Sequence, residues 1–171
     1  MQPQIYQRAT GASMIEVLIT IVIVALGLLG VAGLQASALK YLKTAAQRSE
    51  ASQIAYDIGE RMRANKAAAL SGNYRLDNTY SASAGTFPDL PSACNAANCS
   101  SADVAARDLA EMQRHITAKL SGGAAYIVPG AVGWDISILW KEAGFTGNDS
   151  SCPSAASPVA GVRCFNLRST L

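Results

Sequence analysis

A single carboxylate, Glu16, stands at the entry to a run of 23 residues, Val17 to Leu39, that carries no charge. At 1.5 Å per residue the run makes about 34 Å of helix, enough to cross a hydrocarbon core of ~30 Å. A carboxylate at membrane depth costs roughly 2.5 to 3.5 kcal/mol on insertion scales, so a lone acid there implies a partner. Gly11 suggests one. A cut after it would turn Ala12 into a free α-amino terminus one helical turn from Glu16, and a cation and an anion would meet at the membrane edge. The segment therefore predicts one membrane-spanning helix with a charge pair at its start.

The stretch ahead of this run, MQPQIYQRATG, is polar, and Arg8 is its one charged side chain. It lacks the apolar core that an ordinary secretory signal places before its cleavage site. The apolar segment follows the expected cut instead and is kept. Orientation is not settled by the positive-inside count, because Arg8 stands on one side and Lys40, Lys43 and Arg48 on the other. The cysteines help more: Cys94, Cys99, Cys152 and Cys164 all lie in the C-terminal part. That favours an oxidising compartment, hence a cytoplasmic leader and a periplasmic body.

Beyond the membrane the helical pattern continues to about Leu70, with no proline between Pro3 and Pro88. At 100° per residue Leu39, Leu42 and Ala46 cluster on one side, while Ala51, Ile54, Ala55, Ile58 and Met62 cluster roughly opposite. A helix that changes its apolar face touches two different things, or changes twist. Gly27, Gly30 and Gly33 either permit close helix approach in lipid or are simply tolerated there. After Leu70, Gly, Asn, Ser and Pro mark a loop with room for a short strand. A second, amphipathic helix starts at Ser100 or Ser101 and ends at Gly122 and Gly123, with Ala105, Leu109, Met112, Ile116 and Leu120 on one face. The stretch GWDISILWKE alternates with period two and predicts a half-buried strand, to which Ala125–Val128 and Val162–Arg168 add two more. Three strands on the long helix make an α+β domain.

A net charge of +2 with 15% charged residues proposes no nucleic acid as main partner. His115 is the one histidine and reads as a solvated surface imidazole. No phosphate loop, zincin pattern or nucleophile elbow occurs, so no enzyme, cofactor or metal is expected. The four cysteines could in principle bind zinc, but their spacing and compartment favour disulfides. Of three connectivities, two local bonds, Cys94–Cys99 and Cys152–Cys164, need the least chain closure. Asp57, Glu60, Arg61, Arg63 and Lys66 are spaced for helical ion pairs and read as a solvated helix face.

A polar leader ending in Gly, followed by a small residue, a hydroxyl residue, two apolar residues and Glu, resembles the type IV pilin and pseudopilin signal. Together with ERMRANK, a cysteine pair, an amphipathic helix ending in Gly-Gly and the WDISILW strand, the chain resembles the minor pilins of the PilV type. The resemblance implies a type IV pilin-like fold: residues 1–11 a cleaved leader, 12–39 the transmembrane half of a long helix, 40–70 its amphipathic half, and 71–171 a small antiparallel-sheet domain. It also implies cleavage after Gly11 by an inner-membrane prepilin peptidase and N-methylation of the new terminus, Ala12. Glu16 would neutralise the terminal amine of a neighbouring subunit. The usual Phe after the cut is Ala12 here, and Gly33 replaces a helix-breaking Pro. Implied partners are the peptidase, other minor and major pilins, the inner-membrane assembly platform, and lipid along 12–39. The implied role is a minor pilin in type IV pilus assembly. Its rivals are a type II secretion minor pseudopilin, a filament-tip adhesin or DNA-binding module, and a membrane-anchored periplasmic enzyme.

Overall fold

The computed structural model describes residue 11, residues 13–81 and residues 99–171. Residues 1–10, Ala12 and Cys94 lie outside the described residues, and with them the expected leader, new terminus and Cys94–Cys99 bond.

Helix α1 runs Met14–Ala64. Ser13 begins it, its Oγ accepting the Glu16 N–H at 3.3 Å. Ser13-x-x-Glu16 is a helix-start pattern that places a carboxylate at the positive end of the helix dipole. The chain divides into two compact units, 1–42 and 43–171. In the first unit every described residue is exposed.

In the second unit α1 buries Ala51, Ile54, Ala55, Ile58 and Met62, the stripe expected from the pattern, while Ala46 stays exposed. Helix α1 stops at Ala64 and a short α2 covers Lys66–Leu70, where the sequence reads as one continuous helix. The break falls at Asn65, at φ −110° and ψ 54°. Its side-chain amide donates to Ser101 O at 2.7 Å and to Tyr74 Oη at 3.3 Å. Tertiary hydrogen bonds thus override a local helical preference at this residue.

Helix α3 spans Ser101–Lys119 and is N-capped by Ser100 in a reciprocal capping box with Asp103. Its face of Ala105, Met112 and Ile116 is buried, with Leu109 packed at the margin of the core. Strands β1 (Ala124–Pro129), β2 (Trp134–Lys141) and β3 (Val162–Ser169) form an antiparallel sheet in the order β1-β2-β3. Ile127 pairs with Ile136, and Ile138 with Phe165. The β1–β2 turn needs Gly133, at φ +84°, because a Cβ there would sit 2.2 Å from the Ser169 carbonyl oxygen. Leu76 adds one isolated pair to the free side of β1, exchanging both backbone bonds with Ile127 at 2.8 and 2.7 Å.

Strand β2 is buried on both faces and not on one alone. Trp134, Ile136, Ile138 and Trp140 join the α1 and α3 stripes in the main core. Leu139, from the face expected to meet water, is 1% exposed and packs with Tyr126, Ala156 and Val162. The cover comes from the β2–β3 connection, which includes a 3₁₀ turn at Ser154–Ala156. A disulfide between Cys152 and Cys164, Cα atoms 5.2 Å apart, ties that connection to β3.

Candidate functional site

The first unit presents its chemistry along one helix. Ile15, Leu18, Ile23, Leu28, Leu29 and Leu34 are each more than 60% exposed, and Glu16 is the one acid among them. The Glu16 carbonyl accepts from the Thr20 hydroxyl, a local bond that leaves the carboxylate available. Side chains added at Gly27, Gly30 or Gly33 would meet nothing within 4 Å. Those three glycines are therefore not required by this chain's own packing. Gly11 is exposed with open space around its Cα. The helix is long and apolar enough to cross a membrane, and none of its apolar window is buried.

In the second unit a charge cluster fastens α1 to α3. Arg61 Nε donates to Asp57 at 2.9 Å, and Nη1 donates to Asp108 at 3.0 Å and to Glu111 at 2.8 Å. The fully buried Tyr74 donates its hydroxyl to the other Asp108 oxygen at 2.6 Å. Glu111 also accepts from Arg107 Nε at 2.9 Å. Hydrogen bonds from Arg61, then Arg107, hold the Glu111 carboxyl below its usual range. Burial, followed by the hydrogen bond to Asp108, pushes the Tyr74 phenol upward.

Of the ERMRANK charges, Arg63 and Glu60 do form a helix-surface pair, but Arg61 reaches across to a second helix. The sequence reading missed this because its partners, Asp108 and Glu111, lie some 50 residues on, and an Asp within an amphipathic helix looks solvated. Their spacing of three was the available signal. His115 is half-exposed, as its neighbours suggested, and its Nε2 lies 3.2 Å from Glu50 Oε1.

A second cluster surrounds the disulfide. Arg163 lies over the Phe145 ring, 3.7 Å from its centroid, with Asp149 at 3.7 Å and Glu142 at 3.6 Å. Burial works against the Asp149 carboxylate, yet hydrogen bonds from Ser151 and the Cys164 amide, with Arg163 nearby, hold it below its usual range. Both clusters tie elements of this unit to one another, although the buried Arg163 Nε has no hydrogen-bond partner among the described residues. Among the described residues no group of His, Cys, Asp and Glu could hold a metal ion.

A long amino-terminal helix, bare over its first half and packed on an antiparallel sheet in its second, makes an α+β fold consistent with that of the type IV pilins. The chain's particular match is to the Tt1218-like family, described as type IV pilin Tt1218, over residues 33–110. That span covers the packed half of α1 and the first half of α3. No curated protein and no solved structure matches the chain. Family and apolar helix are together compatible with membrane anchoring, a place at the pilus surface and contact with other pilins.

Proposed function

We propose that this chain is a minor pilin of a type IV pilus. Prepilin peptidase removes the leader after Gly11 and N-methylates Ala12. The helix from residue 12 to 39 holds the protein in the bacterial inner membrane, and the domain from 71 lies in the periplasm until assembly. The observation that carries the reading is the continuous apolar helix with one carboxylate at its first turn and no ion-pair partner among the described residues. Such a surface is stable in lipid or against other helices of its kind, and its acid is stable beside a cation. Within a filament the cation is the terminal amine of a neighbouring subunit. The protein acts through assembly and carries out no reaction of its own, and it needs neither a cofactor nor nucleic acid.

The test separates anchoring from assembly. Intact-mass measurement of the membrane-extracted protein should give a chain beginning at methylated Ala12. Glu16→Ala should leave membrane abundance unchanged and reduce recovery with sheared pili at least tenfold. A mature chain starting elsewhere, or assembly at wild-type level by Glu16→Ala, overturns the reading. Recovery with a type II secretion pseudopilus in place of pili would assign the chain to that system.

A further inference from the structure

At one end of the second unit, a cavity of about 290 Å³ is lined by Lys43 and Gln47 of α1, Ser121 after α3, and Lys141 and Glu142 at the end of β2. Lys43 and Gln47 are four apart on one helix, so their side chains lie side by side. Gln47 is only 8% exposed and makes no side-chain hydrogen bond among the described residues, its amide atoms keeping access to the cavity. An accessible amide on a cavity wall is free to donate to a solute bound there. Neither lysine has an ion-pair partner among the described residues. The one carboxylate on the wall among the described residues, Glu142, is held by Arg48 at 3.4 Å and Arg163 at 3.6 Å, and so does not cancel the lysines. Two ammonium groups, an amide and a hydroxyl around a space of this size form a donor-rich site for a small anion.

We propose that this cavity binds the phosphate headgroup of an anionic phospholipid. A phosphodiester accepts several hydrogen bonds at once, and lysine serves it as a point charge. The lipid is favoured over an acidic protein segment because Lys43 follows Leu39, the last residue of the uncharged run, by four positions in sequence. A cationic site just beyond a membrane span meets anionic headgroups at high local concentration. The proposal rests on the membrane-anchored reading given above.

Native mass spectrometry of the full-length protein in detergent provides the test. Dioleoyl phosphatidylglycerol and dioleoyl phosphatidylcholine, which share acyl chains and differ in headgroup charge, are added separately. Wild type should retain the phosphatidylglycerol preferentially. Each lysine should contribute about fivefold, so Lys43→Gln/Lys141→Gln should lose roughly twenty-fivefold. Lys43→Arg/Lys141→Arg should restore most of it, and Lys40→Gln, outside the cavity, should change it little.

Equal retention of both lipids by wild type overturns the proposal, as does undiminished preference in the double Gln variant. Millimolar inorganic phosphate that binds in the absence of lipid and is lost in the double variant, with no lipid preference, assigns the site to free phosphate. Carbodiimide cross-linking of Lys43 or Lys141 to a second pilin, with no lipid preference, assigns it to a protein carboxylate. Both outcomes overturn the lipid assignment. Pilus recovery measured on the same variants keeps the readings apart: loss of lipid selectivity with normal assembly removes the site and leaves the minor-pilin role intact.

Discussion

Ile23 and Ile58 lie on the same helix, yet Ile23 is 64% exposed and Ile58 fully buried. Around Ile23 nearly every position is apolar, whereas around Ile58 apolar residues recur only at helical intervals among charges. The richer sequence makes no core in its own chain and the sparser one does. A helix that is apolar all round has no preferred face and suits lipid or many like neighbours, whereas a stripe commits its owner to one partner surface. The two units thus use one secondary structure for opposite ends: the first keeps its surface for others, and the second spends it on itself.

The sharpest way to break this comparison is to make the same change in both places. Ile58→Ala should lower the stability of the second unit by about 3 to 4 kcal/mol, combining lost burial with a cavity. Ile23→Ala should change it by less than ~0.5 kcal/mol. Urea midpoints read by tryptophan fluorescence in detergent check both, since Trp134 and Trp140 lie in the affected core. Equal losses would show that the units are energetically one.

Next in size is the covalent cover of β2. Replacing both Cys152 and Cys164 by Ser frees a bridge of sequence separation 12, costing on the order of 3 kcal/mol in the same unfolding measurement. Membrane insertion, a property of the first unit, should be unaffected.

Acid should act on the second unit alone and more gently. The Glu111 carboxyl is held below its ordinary value by Arg61 and Arg107, so its contribution is complete above the free glutamate pKa of ~4.3. It is lost as pH falls through the lowered folded value. The urea midpoint should be flat from about pH 7 to 5 and decline below about 4, and Glu111→Gln should shallow that decline. An unchanged acid limb in the variant would show that other carboxylates govern it.

Smallest is a comparison between glycines. A Cβ at Gly59 would lie 3.4 Å from Ser169 Oγ and 3.7 Å from Ile136 Cδ1, ordinary contact distances. Gly59→Ala should therefore be neutral or stabilising by up to ~1 kcal/mol through helix propensity. Gly33→Ala should leave the second unit's midpoint unchanged, its Cβ meeting nothing within 4 Å.

Features carried by local pattern were legible in the sequence: the uncharged run, the rotation of the apolar stripe, the Ser100 cap and the three strands. What escaped was set by distant partners. Asn65 breaks the helix because its amide is claimed by Ser101 and Tyr74. Leu139 is buried because a connection of low regular content folds back over it, and period-two alternation cannot report a loop's destination. Asp108 is buried because Arg61 and Tyr74 converge on it from elsewhere in the chain. At the candidate site, Glu16 stands out by its contrast with the uncharged run that follows it, and Gly11 by its place five residues ahead of Glu16. The Ser13-x-x-Glu16 start pattern is also legible, and it places the same acid at the positive end of the helix.

The core that unites Ile58 with Ile136 also sets a timetable. Roughly 80 residues separate them, so at 5 to 20 residues per second the α1 stripe emerges several seconds before the strand that covers it. During that interval a newborn chain displays two greasy surfaces, one destined for lipid and one for its own sheet. An export system that commits the first to the bilayer early removes one of the two from misassembly, leaving the second to wait for β2 and β3.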